Sequence, residues 1–210
     1  MKTNLTAAIF ALATLSAGLA VAPAGAQTAP PALTTKASDV KAGTYSVEPT
    51  HTRLLFSVSH MGFTTWYGEF TGLSGSLTLV PGDVAKSTFD IKVPVASVTT
   101  TNTKLDGELK SPEWFDAAQY PEIEFKSGHV TRTGADTARV TGELTFHGVT
   151  RPLTLSVKFN AAGVNVLDRK YTAGFEASGL IKRSDFGVKT YVPLIGDDVT
   201  LIISAAFEHN

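Results

Sequence analysis

The chain has no cysteine. That excludes thiol nucleophiles, disulfide exchange and Cys-based zinc sites, and it leaves a sizeable apolar core as the source of stability. Charge of one sign is equally scarce. The 18 Lys and Arg are balanced by 19 Asp and Glu, so there is no basic field to attract nucleic acid. Long apolar runs are absent after Val21, and the mature protein is expected to be soluble, without stable membrane insertion. The phosphate-cradling pattern GxxxxGK(S/T), the zinc motif HExxH and the nucleophile elbow GxSxG are missing too. The nearest approach to the elbow, Gly72-Leu73-Ser74-Gly75-Ser76, has one glycine out of place.

What is present begins with an export signal. Met1-Lys2 gives a small positive start, Leu5 to Val21 an apolar run, and Ala24-Gly25-Ala26 a small-residue cleavage site. This reads as a cleaved signal peptide over residues 1–26 rather than an anchor, because the run is alanine-rich and exits through small residues. No Cys follows it, so a lipoprotein anchor is excluded. Cleavage after residue 26 of 210 removes Lys2 and leaves 184 residues, with 17 basic and 19 acidic groups and a net charge of −2. That length suits one domain. Residues 27–42, rich in Ala, Pro, Thr and Lys, read as a flexible N-terminal segment, and residues 43–210 as the domain. The expected location is the periplasm; the sequence does not separate this from secretion.

Within the domain, apolar and polar residues alternate with period two. The clearest inward faces are Phe89-Ile91-Val93-Val95, Val140-Gly142-Leu144-Phe146, Leu153-Leu155-Val157-Phe159 and Val199-Leu201-Ile203-Phe207. Asp90, Lys92, Thr141, Glu143, Thr154 and Lys158 point the other way. Such alternation marks half-buried antiparallel strands. Strands are expected at Tyr45–Val47, Arg53–His60, Trp66–Phe70, Leu73–Val80, Ser87–Val95, Glu122–Val130, Ala138–His147, Pro152–Phe159, Thr172–Arg183 and Asp198–Glu208. That is about enough to close a small barrel, whose interior is either packed or left for an apolar ligand. Helix is confined to one or two short pieces. Thr103-Lys104-Leu105-Asp106 resembles a capping box, and Ser111-Pro112-Glu113 reads as a second helix start with Ser111 as N-cap.

The residues bear on three kinds of chemistry. A copper site at His60, Met61 and His51 has suitable soft ligands but no defining spacing. A hydrolase finds no motif, and Glu122 and Glu124 share an outer, solvated face; no enzyme is expected. An apolar ligand cavity fits the aromatic density at Phe56, Phe63, Trp66, Tyr67 and Phe70, and at Trp114 and Phe115, although aromatics most often fill ordinary core.

Several local patterns then agree in order. His51-Thr52-Arg53 through His60-Met61-Gly62, Gly68-Glu69-Phe70 with Gly72, and Leu109-Lys110-Ser111 through Asp116 resemble the YceI-like family of periplasmic polyisoprenoid-binding proteins. So do Tyr120-Pro121-Glu122-Ile123-Glu124-Phe125, Gly142 through Pro152, Arg183-Ser184-Asp185-Phe186-Gly187 and Gly196-Asp197-Asp198-Val199. Glu108 departs from the family's usual His and Trp114 from its usual Phe. The resemblance implies an all-β, antiparallel, eight-stranded lipocalin-like barrel that holds an isoprenoid or other long-chain amphiphile, polyprenyl or quinone-like, with no catalysis and no cofactor. The wall is expected to include Leu54, Phe56, Val58, Phe63, Trp66 and Phe70 near the start of the domain, and Trp114, Phe115 and Phe125 in its middle. His60, Arg53 and Arg183 are head-group candidates; Arg183 and Asp185 pairing with each other, or tying a loop to the barrel, is the alternative. A homodimer is compatible with the resemblance, and no residue decides it. The rival reading is a filled barrel that acts through its outer surface as an envelope interaction module with respiratory or stress functions.

Overall fold

A half-apolar strand cannot bury its face alone, and ten such segments solve the problem together in the computed structural model, which describes residues 32–210. The signal-peptide reading of residues 1–26 lies outside the described residues. The strands are β1 (Gly43–Val47), β2 (Arg53–His60), β3 (Thr64–Phe70), β4 (Ser74–Leu79), β5 (Thr88–Pro94), β6 (Glu122–Arg132), β7 (Thr137–Phe146), β8 (Val149–Val164), β9 (Tyr171–Lys182) and β10 (Ile195–His209). All pair antiparallel. The order β1-β4-β5-β6-β7-β8-β9-β10 closes through a β1–β10 pairing, and β2-β3 continues beyond β10.

The closed ring has eight strands, as expected. β1 and β2 run one after the other along the same edge of β10, with Val47 opposite Phe207 and Arg53 opposite Ser204. Between them Thr52 stands in for the ladder: its hydroxyl donates to the Ala206 carbonyl at 3.3 Å and accepts from the Ala206 amide at 3.0 Å. β3 and β4 follow on the next position, paired to β2 and β1 respectively. The extra pair thus lengthens the barrel at one end, called the mouth here.

One α-helix forms, within the one or two short pieces expected. α1 (Thr103–Leu109) is capped by Asn102, whose side chain accepts from the amides of Lys104 at 3.1 Å and Leu105 at 3.2 Å. Asp106 turns back instead to the Thr100 amide at 2.6 Å and hydroxyl at 2.7 Å, so the expected box at Thr103 does not form and the cap moves back one residue to Asn102. The second helix at Ser111 does not form. The amides of Phe115 and Ala117 donate to the carbonyls of Leu109 and Lys110, folding the chain back against the end of α1. Ser111 caps nothing, and its hydroxyl is buried without a partner among the described residues. Also among the described residues, no helix is long and apolar enough to cross a membrane.

Packing reaches back beyond Gly43. Thr34 bridges Ala162, and Val40 is buried beside Tyr45, Leu77, Phe159 and Phe207 at the end away from the mouth. Tyr45 is fully buried there, with its hydroxyl donating to the Lys41 carbonyl at 2.6 Å; burial pushes its pKa up to about 12.

Candidate functional site

Among the described residues the inward faces enclose two larger chambers in line, and behind them a smaller one of about 70 Å³ that shares Phe89, Val140, Val157 and Phe175 with the deeper of the two. The deeper, of about 120 Å³, is walled by Val47, Ile91, Phe125, Val140, Leu155, Ile203 and their neighbours; its one polar wall residue is Thr52, whose hydroxyl is already engaged with Ala206. The next, of about 100 Å³, is walled by Phe56, Phe70, Leu109, Phe115, Phe146 and Val199, and its one ionisable wall residue is Arg183. Leu54, Ile123, Leu144 and Leu201 border both chambers. Beyond lies an open cleft of about 400 Å³ at the mouth, which shares Phe56, Val58, Leu109, Trp114 and Ile195 with the second chamber. There the lining turns mixed: His60, Asn102, Lys104 and Glu108 join Trp66, Tyr67 and Tyr191. Dry walls of this kind reward hydrocarbon and offer no converging set of titratable groups.

Local sequence explains the wall. β2 alternates Leu54, Phe56 and Val58 inward. Opposite Phe56 stands Gly68, and a Cβ there would overlap the Phe56 ring. The glycine lets an aromatic lie flat over the neighbouring strand. α1 and the turns at residues 110–120 supply the wall where strands are lacking, with Phe115 packed between Phe70 (tilted, ring centroids 6.0 Å apart) and Phe146 (edge-on, 5.4 Å).

Of the residues expected at the site, Leu54, Phe56, Val58, His60, Trp66, Phe70, Trp114, Phe115, Phe125 and Arg183 border a chamber or the cleft. Phe63 does not: it lies at the tip of the β2–β3 turn and is 85% exposed. Arg53 also leaves the set, because strand alternation turns it outward, where it donates to the carbonyls of Pro49 at 3.2 Å and Thr52 at 2.8 Å. Arg183 is buried and acts as a tie. Its three nitrogens donate to the carbonyls of Gly196 (2.8 Å), Val188 (3.1 Å) and Ile195 (2.9 Å), and its guanidinium lies 5.5 Å from the centre of the Trp114 ring. Burial pulls its pKa down and Asp197 opposes this. Asp197 itself accepts from the Ser184 amide at 2.9 Å and hydroxyl at 2.8 Å, which fixes the other end of the same loop.

Ile123, Leu144, Phe146, Val199 and Leu201 were not singled out as site residues, although their period-two pattern carried the signal. Leu109 and Ile195 reach the wall from a helix end and a strand start, where no periodicity marks them. His51 and His60 sit at opposite ends of β2, and no cluster of three or more His, Asp or Glu suited to a metal occurs among the described residues. Glu122 and Glu124 lie outside and pair with Lys92 at 2.9 and 3.3 Å.

Comparison with known proteins agrees with this geometry. A YceI-like domain pattern matches residues 45–207. Protein YceI of Escherichia coli O6:H1 is 34% identical over 204 residues, 97% of this chain and 96% of that protein. The crystal structure of the Campylobacter jejuni YceI protein superposes with a TM-score of 0.64 at 27% identity, over 72% of this chain and 90% of that one. A polyisoprenoid-binding domain from Saccharophagus degradans shares the fold, with a TM-score of 0.60 at 19% identity, over 79% and 98% of the two chains.

Proposed function

The chain belongs to the YceI-like family, and on that premise we propose that it is a binding protein that takes the tail of a long isoprenoid lipid, polyprenyl or quinone-like, into its barrel without catalysis. The observation that carries this reading is the line of apolar chambers behind a mixed-polarity cleft. Each CH₂ removed from water is worth about 0.8 kcal/mol, so the tail needs walls and no special chemistry. Taken singly, the chambers are smaller than the roughly 300–1,000 Å³ of an ordinary ligand site. A long tail therefore enters by displacing the shared side chains of Leu54, Ile123, Leu144 and Leu201. The head group stays in the cleft near His60, Lys104 and Glu108. That a domain of the same fold is described as polyisoprenoid-binding supports the reading. Its setting, in our reading, is the periplasm, reached by a signal peptide over residues 1–26 that precedes a binding domain at 43–210.

The test is native mass spectrometry of the protein from its own host, followed by organic extraction. One prenyl lipid per barrel is expected, with the Phe56→Asp variant folded but depleted of it. A clean unliganded mass, with no uptake of added quinone or polyprenyl phosphate, would replace this reading with a filled barrel acting through its outer surface.

A further inference from the structure

The mouth is ringed by large apolar side chains that the barrel does not bury. Phe63 is 85% exposed, Tyr191 61%, Leu194 60% and Tyr67 60%, with Met61 beside them at 49%. Met61, Tyr67, Tyr191 and Leu194 meet around the cleft, and Phe63 adjoins them at the tip of the β2–β3 turn. The Met61 amide donates to the Leu194 carbonyl at 2.8 Å, joining the β2–β3 tip to the loop before β10. The collar and the entrance are thus continuous.

The exposure is built in. The positive φ of Met61 (53°) and Gly62 (73°) turns the hairpin so that Phe63 faces out. Arg183 holds the carbonyls of Val188 and Ile195, which pins the loop carrying Tyr191 and Leu194. A pinned loop cannot fold its apolar side chains back onto the barrel. Contiguous exposed apolar surface marks an interaction site, and a rim of Tyr beside Phe, Leu and Met suits the boundary between headgroups and acyl chains. The ionisable side chains of the cleft are His60, Lys104 and Glu108, so no strong field of one sign accompanies it.

We propose that this collar docks reversibly on the surface of a lipid bilayer, so that the cleft opens onto the acyl layer and a tail passes between membrane and barrel without crossing water. The identity of the occupant rests on the reading that the interior takes a lipid tail. Docking runs through apolar insertion, so it needs no anionic lipid and survives salt.

The test is flotation of the protein with vesicles of phosphatidylcholine alone, and with phosphatidylglycerol added, at low and high salt. A Phe63→Ser variant is run beside it, and both are offered polyprenol from cyclodextrin. The native protein is expected to float with both vesicles, nearly independent of salt. The variant, whose side chain lies outside the cleft lining, should bind vesicles at least about tenfold more weakly, with unchanged thermal unfolding and unchanged polyprenol uptake from cyclodextrin. Docking is overturned if the native protein does not float, if the variant floats equally well, or if binding needs anionic lipid at low salt. It is also overturned if the native protein sediments as a dimer that the variant abolishes, because a second copy then covers the collar. Flotation without polyprenol uptake by any route upholds docking and removes the interior reading; uptake from cyclodextrin without flotation does the reverse.

Discussion

Glu48, at the joint between β1 and β2, organises a turn with one carboxylate. It accepts from the amides of Thr50 at 2.9 Å and His51 at 2.7 Å, and meets the His51 ring at 2.7 Å. Burial pushes the carboxyl up, but these hydrogen bonds outweigh it and hold the pKa at about 2, below its ordinary 4.5. A carboxylate depressed in the folded state stabilises above its unfolded value and loses that contribution as pH falls through the folded one. The side chain is 16% exposed, so the contribution is on the order of 3 kcal/mol at neutral pH. Denaturant titrations should therefore show stability falling between pH 4.5 and about 2, and Glu48→Gln should flatten that part of the profile. An identical slope in the variant would place the acid sensitivity elsewhere. Nothing in the local sequence advertises this residue. Arg183 differs: its motif is visible and a loop tie is among its expected roles, but its partners are three carbonyls between residues 188 and 196 that only the closed barrel brings to it.

Among the elements, strands were the most legible. Arg53–His60 coincides with β2, and the turn at His147-Gly148, with φ of 50° and 73°, is the two-residue hairpin its sequence implies. β8 runs further than its alternation showed, to Val164, because a register shift between Phe159 and Ala161 reverses which side chains face in. The segment after α1 was misread because the Ser-Pro-Glu signal for a helix start competes with backbone hydrogen bonds that reach back to Leu109 and Lys110. Phe63 was misplaced for a related reason. Aromatic density marks burial on average, but a hairpin tip has nothing to bury against. The loop before β10 offers an element-scale test. Arg183→Leu removes three charged donors and strands their carbonyls, at a cost of roughly 3–5 kcal/mol. Hydrogen exchange should accelerate at residues 187–196 well before it does in β9. Uniform acceleration across the barrel would mean that the arginine supports the whole fold and not this loop.

For the whole molecule, the two chambers and their shared wall set how long a guest can be. Leu144 borders both chambers and is buried. Leu144→Ala should cost about 2–5 kcal/mol in unfolding free energy while merging the chambers, so competition assays should shift preference towards longer polyprenols. Unchanged preference would show that length is read elsewhere. The ring has a further property that bears on time and not on space. Its closing strand, β10, joins residues 195–209 to β9 on one side and to residues 45–60 on the other. Contacts this distant in sequence form slowly, because loop closure precedes any gain from pairing. Local hairpins such as β2–β3 and β7–β8 can assemble as the chain emerges. The edges of β1, β2 and β9 nevertheless stay open until residue 209 has been made, and open edges are where chains stick to one another. Synthesis thus leaves the molecule an unfinished sheet for most of its duration, with its most vulnerable edges waiting on β10.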